Sequence, residues 1–197
     1  FYMPTFRYFS SRGRTEGLRC WTNVFDFPEF DEERFASFLN QNGAILVVKI
    51  HPFEEKEWLA RISSRDYFRL LTEQMLEEHD LDLYDMLNAV DILITDYSSV
   101  FFDYLLLDKP ILFVPTDLEQ YRKSRGFLLE PYEWWTPGDK ALNQEELEKG
   151  ILSALMDPGR HAKWRREIRT LVHVYKDGFS SERVWRMIDR LLTAKEN

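Results

Sequence analysis

The chain contains little cysteine, glycine or proline: 1 Cys, 8 Gly and 8 Pro among 197 residues. Because Cys20 is the single thiol, an internal disulfide and a cysteine-based zinc site are excluded, and a reducing compartment is expected. The few glycines and prolines argue against linkers and low-complexity segments. No apolar run approaches the ~20 residues that a membrane-spanning helix requires. Since the sequence begins at Phe1, we expect it to be a fragment of a longer protein.

Basic residues are outnumbered, with 26 Lys and Arg against 34 Asp and Glu, a formal charge of -8 and a pI of about 5.1. Binding a polyanion requires a clustered cationic surface, so we expect no nucleic-acid partner. The basic residues of Trp164–Arg169 are interleaved with apolar ones on a predicted helix. We interpret that segment as a solvated helix face, of a kind that can also contact anionic lipid headgroups.

The sequence does contain enough apolar material for one substantial core, with 44% hydrophobic and 15% aromatic residues. Short continuous apolar runs at Ala44–Ile50, Asp91–Thr95 and Pro110–Val114 are typical of strands covered on both faces. Segments with helical spacing alternate with them. This pattern predicts an α/β fold with a doubly wound, mostly parallel sheet. We expect a single domain over residues 1–197, with a helical portion from about 143 to 197.

Further elements are predicted along the chain from the same periodicity. They are the end of a first strand at Phe1–Met3, a weaker strand at Tyr67–Leu71, and helices at Phe30–Asn42, Glu54–Ile62, Asp82–Ala89, Ser99–Leu107, Glu145–Met156, Arg160–Val174 and Ser180–Leu192.

The most informative segment is the transition from strand to helix after Thr95. There an apolar strand delivers Ser98 and Ser99 to the first turn of a predicted helix. The first N–H groups of a helix have no internal partner and, together with the helix dipole, attract phosphate. The segment therefore predicts a phosphate site, with simple N-capping by the serines as the alternative.

A second strand end places a cation and an imidazole in a comparable position. Lys49 and His51 follow the apolar run that starts at Ala44, and Pro52 keeps His51 in extended geometry. In a parallel sheet both strand ends open on the same edge, where ligands bind. Lys49 and His51 thus predict a cationic clamp for a phosphate or pyrophosphate, while a histidine with a structural hydrogen bond is the alternative.

A third strand end precedes Asp117–Tyr121. Glu119 in this segment is either an acidic residue in the first turn of a helix, which the dipole favours, or a ligand for sugar hydroxyls. The stretch Arg125–Lys140 is rich in aromatic residues and exceeds a typical connection. We interpret it as a functional or docking loop.

Other site classes find little support in the sequence. It lacks a G-x-G-x-x-G fingerprint, a Walker-type loop, an H-E-x-x-H motif and a G-x-S-x-G elbow. The four histidines have no metal-ligand spacing. No base that would activate Ser98 or Ser99 as a nucleophile can be identified. We therefore predict no metal and no cofactor.

Several short motifs occur together along the chain, in the order Pro4–Arg7, Lys49–Pro52, Val90–Ser99, Phe102-Asp103, Lys109–Ile111, Asp117–Tyr121, Arg125-Gly126, Pro137-Gly138, Asp177-Gly178 and Ser181–Arg183. In this combination the sequence resembles the carboxy-terminal half of the CDP-glycerol glycerophosphotransferase family, which includes the wall teichoic acid primases and polymerases. The likeness covers nearly the whole chain.

The resemblance implies a Rossmann-like half of a two-domain GT-B glycosyltransferase, the half that binds CDP-glycerol or a related CDP-polyol. It implies transfer of glycerol phosphate to a hydroxyl of a lipid-linked teichoic acid or related polymer, with release of CMP, at the inner face of the cell membrane. The family's amino-terminal domain, absent here, would supply the acceptor contacts and a second functional histidine. This segment alone is therefore expected to bind the donor without catalysing transfer. Association into a homo-oligomer stays open.

Matched residue by residue, the resemblance implies a catalytic role for His51 beside the donor pyrophosphate and phosphate binding by Ser98 and Ser99. The other implied substrate-binding residues are Thr5, Arg7, Asp103 and Glu119, to which the strand-end argument adds Lys49.

Two other functions stay open at this point. One is an enzyme of another kind on the same architecture: a glycosyltransferase or epimerase that uses nucleotide sugars, or a capsule polymerase with a different CDP-polyol. The other is a non-catalytic nucleotide-binding or assembly module, in which Trp134 and Trp135 would form a contact patch.

Overall fold

A computed structural model describes residues 1–7, 22–62 and 67–193 of the chain, so Cys20 lies outside the described residues. The strands are β1 (Leu46–Val48), β2 (Phe68–Leu70), β3 (Leu93–Thr95), β4 (Ile111–Phe113) and β5 (Asp139–Lys140). The helices are α1 (Glu32–Gln41), α2 (Pro52–Ile62), α3 (Glu73–Glu78), α4 (Leu83–Ala89), α5 (Val100–Tyr104), α6 (Leu118–Ser124), α7 (Tyr132–Trp135), α8 (Gln144–Met156), α9 (Ala162–Val172) and α10 (Ser180–Thr193). A 3-10 turn at Leu105–Leu107 continues α5.

The strands form two parallel groups that the start of the chain joins. β1 pairs with β2, and β4 lies between β3 and β5. Tyr2 bridges the two groups, because its N–H donates to Val47 at 2.7 Å while Ile94 donates to the adjacent carbonyl of Phe1 at 2.7 Å. The strand order is therefore β2, β1, the Tyr2 segment, β3, β4, β5. This parallel α/β arrangement confirms the predicted fold class.

Helices cover both faces of the sheet, as the continuous apolar runs predict. Every residue of β3 and β4 is buried. One core cluster gathers aromatic residues such as Phe25, Phe35 and Trp58, and the other contains Tyr104 and Ile168. Burial on both sides leaves the strand ends as the part of the sheet that can present polar groups to a ligand.

Local signals in the sequence explain several helix boundaries. α1 begins two residues later than predicted because Asp31 accepts a hydrogen bond from the Arg34 N–H as its N-cap. α4 begins after Asp82, which forms a reciprocal capping box with Asp85. α8, α9 and α10 lie where helical spacing predicts them.

Three elements were not predicted: α3, and α7 and β5 within the aromatic stretch. β5 requires a close backbone approach, since a Cβ atom added to Gly138 would lie 2.0 Å from the Ile111 carbonyl oxygen. Only glycine fits there. Among the described residues, no helix is both long and apolar enough to cross a bilayer.

Candidate functional site

The carboxyl ends of the strands open into one cavity of about 800 Å³. Residues that follow the Tyr2 segment, β1, β2 and β3 line it, together with part of the aromatic stretch 125–136. Of the residues predicted from the sequence, five lie in its wall: Thr5, Lys49, His51, Ser98 and Ser99. The structure thus brings the cationic strand end and the serine strand end to the same hollow.

Three other predicted residues are not among the described residues that line the cavity. The Glu119 side chain is 70% exposed and pairs with Arg122 on its own helix. Asp103 is half-buried on α5, one turn beyond Ser99. Arg7 is buried behind the cavity wall. Roles for these three as donor ligands stay predictions.

Arg7 uses its guanidinium within the protein. Its Nη2 lies 3.2 Å from Asp96 Oδ2 and 2.9 Å from Asp117 Oδ1, and its side chain is 2% exposed. The guanidinium carbon also lies 5.0 Å from the ring centre of Tyr97 and 4.7 Å from that of Tyr121. Because Asp96 follows β3 and Asp117 follows β4, Arg7 joins three strand ends behind the cavity.

Asp96 is the centre of this buried network. Its side chain is fully buried and accepts from the Thr5 N–H at 2.7 Å and from the Thr5 hydroxyl at 2.6 Å. The Tyr97 hydroxyl donates to Asp117 at 2.9 Å. Burial, followed by the negative charge of Asp117, raises the pKa of Tyr97, so this tyrosine stays a neutral donor. These bonds fix the chain immediately before Ser98.

The two serines have little capping role in the structure. Ser99 is the N-cap residue of α5, yet its side chain makes no capping hydrogen bond. The Ser98 hydroxyl lies 3.5 Å from the Val100 nitrogen, at the outer limit of a hydrogen bond. N-capping therefore explains neither hydroxyl well. Both side chains lie in the cavity wall, where they are able to donate to a ligand.

His51 is exposed at the cavity wall and has a defined orientation. Its Nδ1 accepts a hydrogen bond from the Phe53 N–H at 3.3 Å. Its ring stacks on Phe6 with centroids 4.5 Å apart and on Phe53 at 5.2 Å. In the neutral tautomer that this bond selects, Nε2 carries the proton. Burial, and then the nearby charge of Lys49, lower the pKa of His51, so at neutral pH the ring is a neutral hydrogen-bond donor.

Lys49 forms an ion pair with Glu73, a residue that was not predicted from the sequence. Its ammonium group donates to the Ile50 carbonyl at 3.2 Å and lies 3.0 Å from Glu73 Oε2. Glu73 opens α3 and also lines the cavity. The rule that parallel strands end at one sheet edge would have pointed to Glu73, because it follows the weakly predicted strand at Tyr67–Leu71.

An aromatic wall faces these groups. The Tyr97 ring stacks on Tyr121 with centroids 4.3 Å apart, and Phe127 and Tyr132 contact Tyr97 at 5.5 and 5.6 Å. The Tyr132 hydroxyl donates to the Asp96 carbonyl at 2.9 Å, which ties the wall to the buried network. Arg125 adds a cationic side chain to the lining. The aromatic stretch therefore contributes to the cavity wall. Its length alone predicted a functional or docking loop but not this location.

Within the described ranges, no three histidine, cysteine or carboxylate side chains are grouped as a metal site would need. The chemistry present is instead a set of neutral and cationic hydrogen-bond donors at a parallel sheet edge. That combination is typical of nucleotide- or phosphate-binding domains of the doubly wound α/β class.

Comparison with known proteins narrows this class to a family. Residues 1–190 match the family model described as CDP-Glycerol:Poly(glycerophosphate) glycerophosphotransferase. The chain belongs to this family, as the ordered motifs predict.

Curated relatives include primases and polymerases of teichoic acid. The chain is 32% identical to a teichoic acid ribitol-phosphate primase of Bacillus spizizenii, covering 98% of this chain and 44% of the relative. It is 31% identical to a teichoic acid glycerol-phosphate primase of Bacillus subtilis, covering 98% and 43%. With the ribitol-phosphate polymerase TarL of Staphylococcus aureus it shares 31% identity, covering 94% of this chain and 29% of the relative. The chain thus spans less than half the length of these relatives.

Solved structures of the wall teichoic acid polymerase TagF share the fold. One superimposes with a TM-score of 0.66 at 20% identity, covering all of this chain and 44% of TagF. A TagF variant soaked with CDPG gives a TM-score of 0.66 at 18% identity, covering all of this chain and 42% of that one. At these identities the likeness establishes the fold, which is of the GT-B type.

Proposed function

We propose that this chain binds the CDP-linked donor in the transfer of glycerol phosphate to a hydroxyl of a lipid-linked teichoic acid or related polymer. One observation supports this most: His51, Ser98 and Ser99, which are predicted as diphosphate ligands from separate strand ends, line one cavity of about 800 Å³. Membership of the glycerophosphotransferase family supplies the reaction type.

In the proposed reaction, an oxygen of the acceptor hydroxyl forms a bond to the β-phosphorus of CDP-glycerol. The bond between that phosphorus and the bridging oxygen breaks, and CMP leaves with the electron pair. The proton of the acceptor hydroxyl goes to a base. Among the described residues that line the cavity, His51 is the sole histidine, and because its Nδ1 accepts from the Phe53 N–H, its Nε2–H is a donor to the phosphate and not a base.

The residues of this chain would act on the charge of the diphosphate. The Nε2–H of His51 and the hydroxyls of Ser98 and Ser99 would donate to phosphate oxygens that become more negative as CMP leaves. Such preorganised donors stabilise a transition state because they need no reorientation during the reaction. The Arg7 network would hold the serine strand end in place for that task.

Titration calorimetry with CDP-glycerol, CDP-ribitol, UDP and ADP-sugars tests the proposal. We expect a CDP-polyol to bind, and His51→Ala to weaken that binding about 10- to 100-fold, the range for losing a charge-assisted hydrogen bond. His79→Ala, at the end of α3 and outside the cavity lining, is the matched control and should bind like the wild type. Failure of every CDP compound to bind would contradict the proposal and favour an assembly module.

The proposed donor carries either glycerol or ribitol as its polyol. Relatives of nearly equal identity are named for ribitol phosphate and for glycerol phosphate. The same titration series ranks the two donors, and tighter binding of CDP-ribitol would replace glycerol phosphate by ribitol phosphate as the transferred group.

We also propose a peripheral position at the inner face of the cell membrane, where the acceptor lipid would lie. Residues of α10 support this, since it buries no side chain and exposes Trp185, Leu191 and Leu192 beside Arg186 and Arg190. Apolar and cationic residues on one helix suit an anionic lipid surface. In a sedimentation assay, the chain should be recovered in the pellet with phosphatidylglycerol vesicles but not with phosphatidylcholine vesicles. Equal recovery with both lipids would contradict the electrostatic part of this proposal.

A further inference from the structure

Glu73 is the single acidic side chain among the described residues that line the cavity. One of its oxygens, Oε2, lies 3.0 Å from the ammonium group of Lys49, which is itself 6% exposed and bonded to the Ile50 carbonyl. The Glu73 side chain is 54% exposed. The carboxylate is thus held from behind by a buried cation while it remains open to the cavity. It is the one anionic acceptor in a lining whose other polar side chains, among the described residues, are cations, an imidazole and hydroxyls.

The position of Glu73 in the sheet separates it from Ser98 and Ser99, two of the proposed diphosphate ligands, whereas His51, which follows β1, lies one strand away. Glu73 follows β2, whereas Ser98 follows β3, and β1 and the Tyr2 segment lie between them. Three strand spacings of ~4.8 Å place the two strand ends about 14 Å apart. A phosphate at the serines would therefore avoid the negative charge of Glu73. The group that reaches Glu73 is one end of the donor, either its base or its polyol.

The surroundings of Glu73 favour the base. The neighbouring strand end and the start of α4 add Ile50, Pro52 and Leu83 to the lining, and these are apolar. Polyol hydroxyls both donate and accept, so they would be left partly unpaired there. Cytosine instead presents flat apolar ring faces to such side chains, and a carboxylate is the usual acceptor for its exocyclic amine.

On the opposite wall, Tyr97 and Tyr121 already have stacking partners. Their rings stack on each other, and the Arg7 guanidinium lies over both. We infer that the Glu73 carboxylate accepts a hydrogen bond from the exocyclic amine of cytosine and so selects cytidine over uridine in the donor. Uracil carries a carbonyl oxygen at the same position, which the carboxylate repels. This inference rests on the proposed function and assigns the residue that reads the donor's base.

The test compares the affinities of CDP and UDP for the wild-type chain and for Glu73→Gln. Gln keeps the size of the side chain but offers both an acceptor and a donor, so it accommodates either base. We expect the wild type to prefer CDP about 10- to 100-fold, the range for one hydrogen bond to a charged group, and Glu73→Gln to lose most of that preference. Glu77→Gln on the same helix should keep the wild-type preference. Thermal unfolding of each variant confirms that the fold is intact.

Titration with CDP-glycerol separates the alternatives. If Glu73→Gln leaves the CDP to UDP ratio unchanged but alters the CDP-glycerol to CDP ratio, Glu73 contacts the polyol and the inference is wrong. Equal weakening of CDP and UDP would also overturn it, since Glu73 would then act only through Lys49. If the wild type binds CDP but shows no preference over UDP, this inference fails while the proposed function stands. If the wild type binds no CDP compound, the proposed function fails as well.

Discussion

The two sides of the cavity differ in how completely their polar groups are bonded. Behind the serine strand end, Arg7 and Asp96 are buried and joined to one another and to Asp117. At the other strand end, His51 is exposed in the cavity wall, and its side chain makes one long hydrogen bond through Nδ1, which leaves the Nε2–H available to a ligand. Polar groups whose hydrogen bonds are all made within the protein hold the site in place. Polar groups with hydrogen-bonding capacity left are the ones that can bind a ligand.

The largest expected effect is on folding, from Arg7→Met. Removing the guanidinium leaves the buried carboxylate of Asp96 without its cation, and breaking a buried ion pair in this way costs about 3–5 kcal/mol. We expect the unfolding midpoint in urea to fall sharply. If stability is unchanged and only ligand affinity falls, Arg7 belongs with the binding residues, as the family resemblance implies, and the contrast between the two sides is wrong.

The next effect is on binding, from His51→Ala with His51→Gln as its partner. The Gln amide offers an N–H near the position of Nε2–H, so it should recover part of the CDP-polyol affinity that Ala loses. Neither variant should change the free energy of unfolding by more than about 0.5 kcal/mol, as is usual for exposed positions. Equal losses in Ala and Gln would contradict the donor role of Nε2.

A smaller effect is expected from Ser98→Ala. One neutral hydrogen bond contributes about 0.5–1.5 kcal/mol, so affinity for CDP should fall about 2- to 12-fold. Ser124→Ala, on α6 and outside the cavity lining, is the control with the same chemical change. A Ser98→Ala variant that binds CDP like this control would remove Ser98 from the phosphate site.

The last expected effect is a dependence of stability on pH that arises from Lys140 on β5. Burial lowers the pKa of Lys140 from 10.5 to about 8, although its ammonium group donates to the Gly138 carbonyl at 2.9 Å. Between these two pKa values the unfolded chain binds more protons than the folded one, so stability rises with pH across that window. Urea unfolding between pH 8 and 10.5 should show this rise in the wild type. Lys140→Met should flatten it, and identical slopes would contradict the assignment.

Local sequence signals were sufficient for most of the fold. Continuous apolar runs predicted β3 and β4 correctly, because a strand that is buried on both faces is apolar at every position. α3 was missed because it has six residues, too few to show a helical period, although Thr72 caps it. β5 has two residues and depends on the close approach of Gly138 to Ile111, which is a tertiary feature.

The site was predictable where it depends on strand ends and not where it depends on distant partners. Ser98, Ser99 and His51 directly follow apolar runs, so their common edge follows from a parallel sheet. The family resemblance implies that Arg7 binds the substrate, and the sequence does not show its carboxylate partners, which lie 89 and 110 residues away along the chain. Glu73 escaped notice for the same reason, since its bond to Lys49 joins two separate strand ends.

The most direct test of whether His51, Ser98 and Ser99 bind the diphosphate together is a crystal structure of this chain with CDP-glycerol. We expect the diphosphate to lie between the two strand ends, with phosphate oxygens within hydrogen-bond distance of His51 Nε2 and of the hydroxyls of Ser98 and Ser99. A diphosphate bound away from these three side chains, with His51 Nε2 facing solvent, would contradict this expectation.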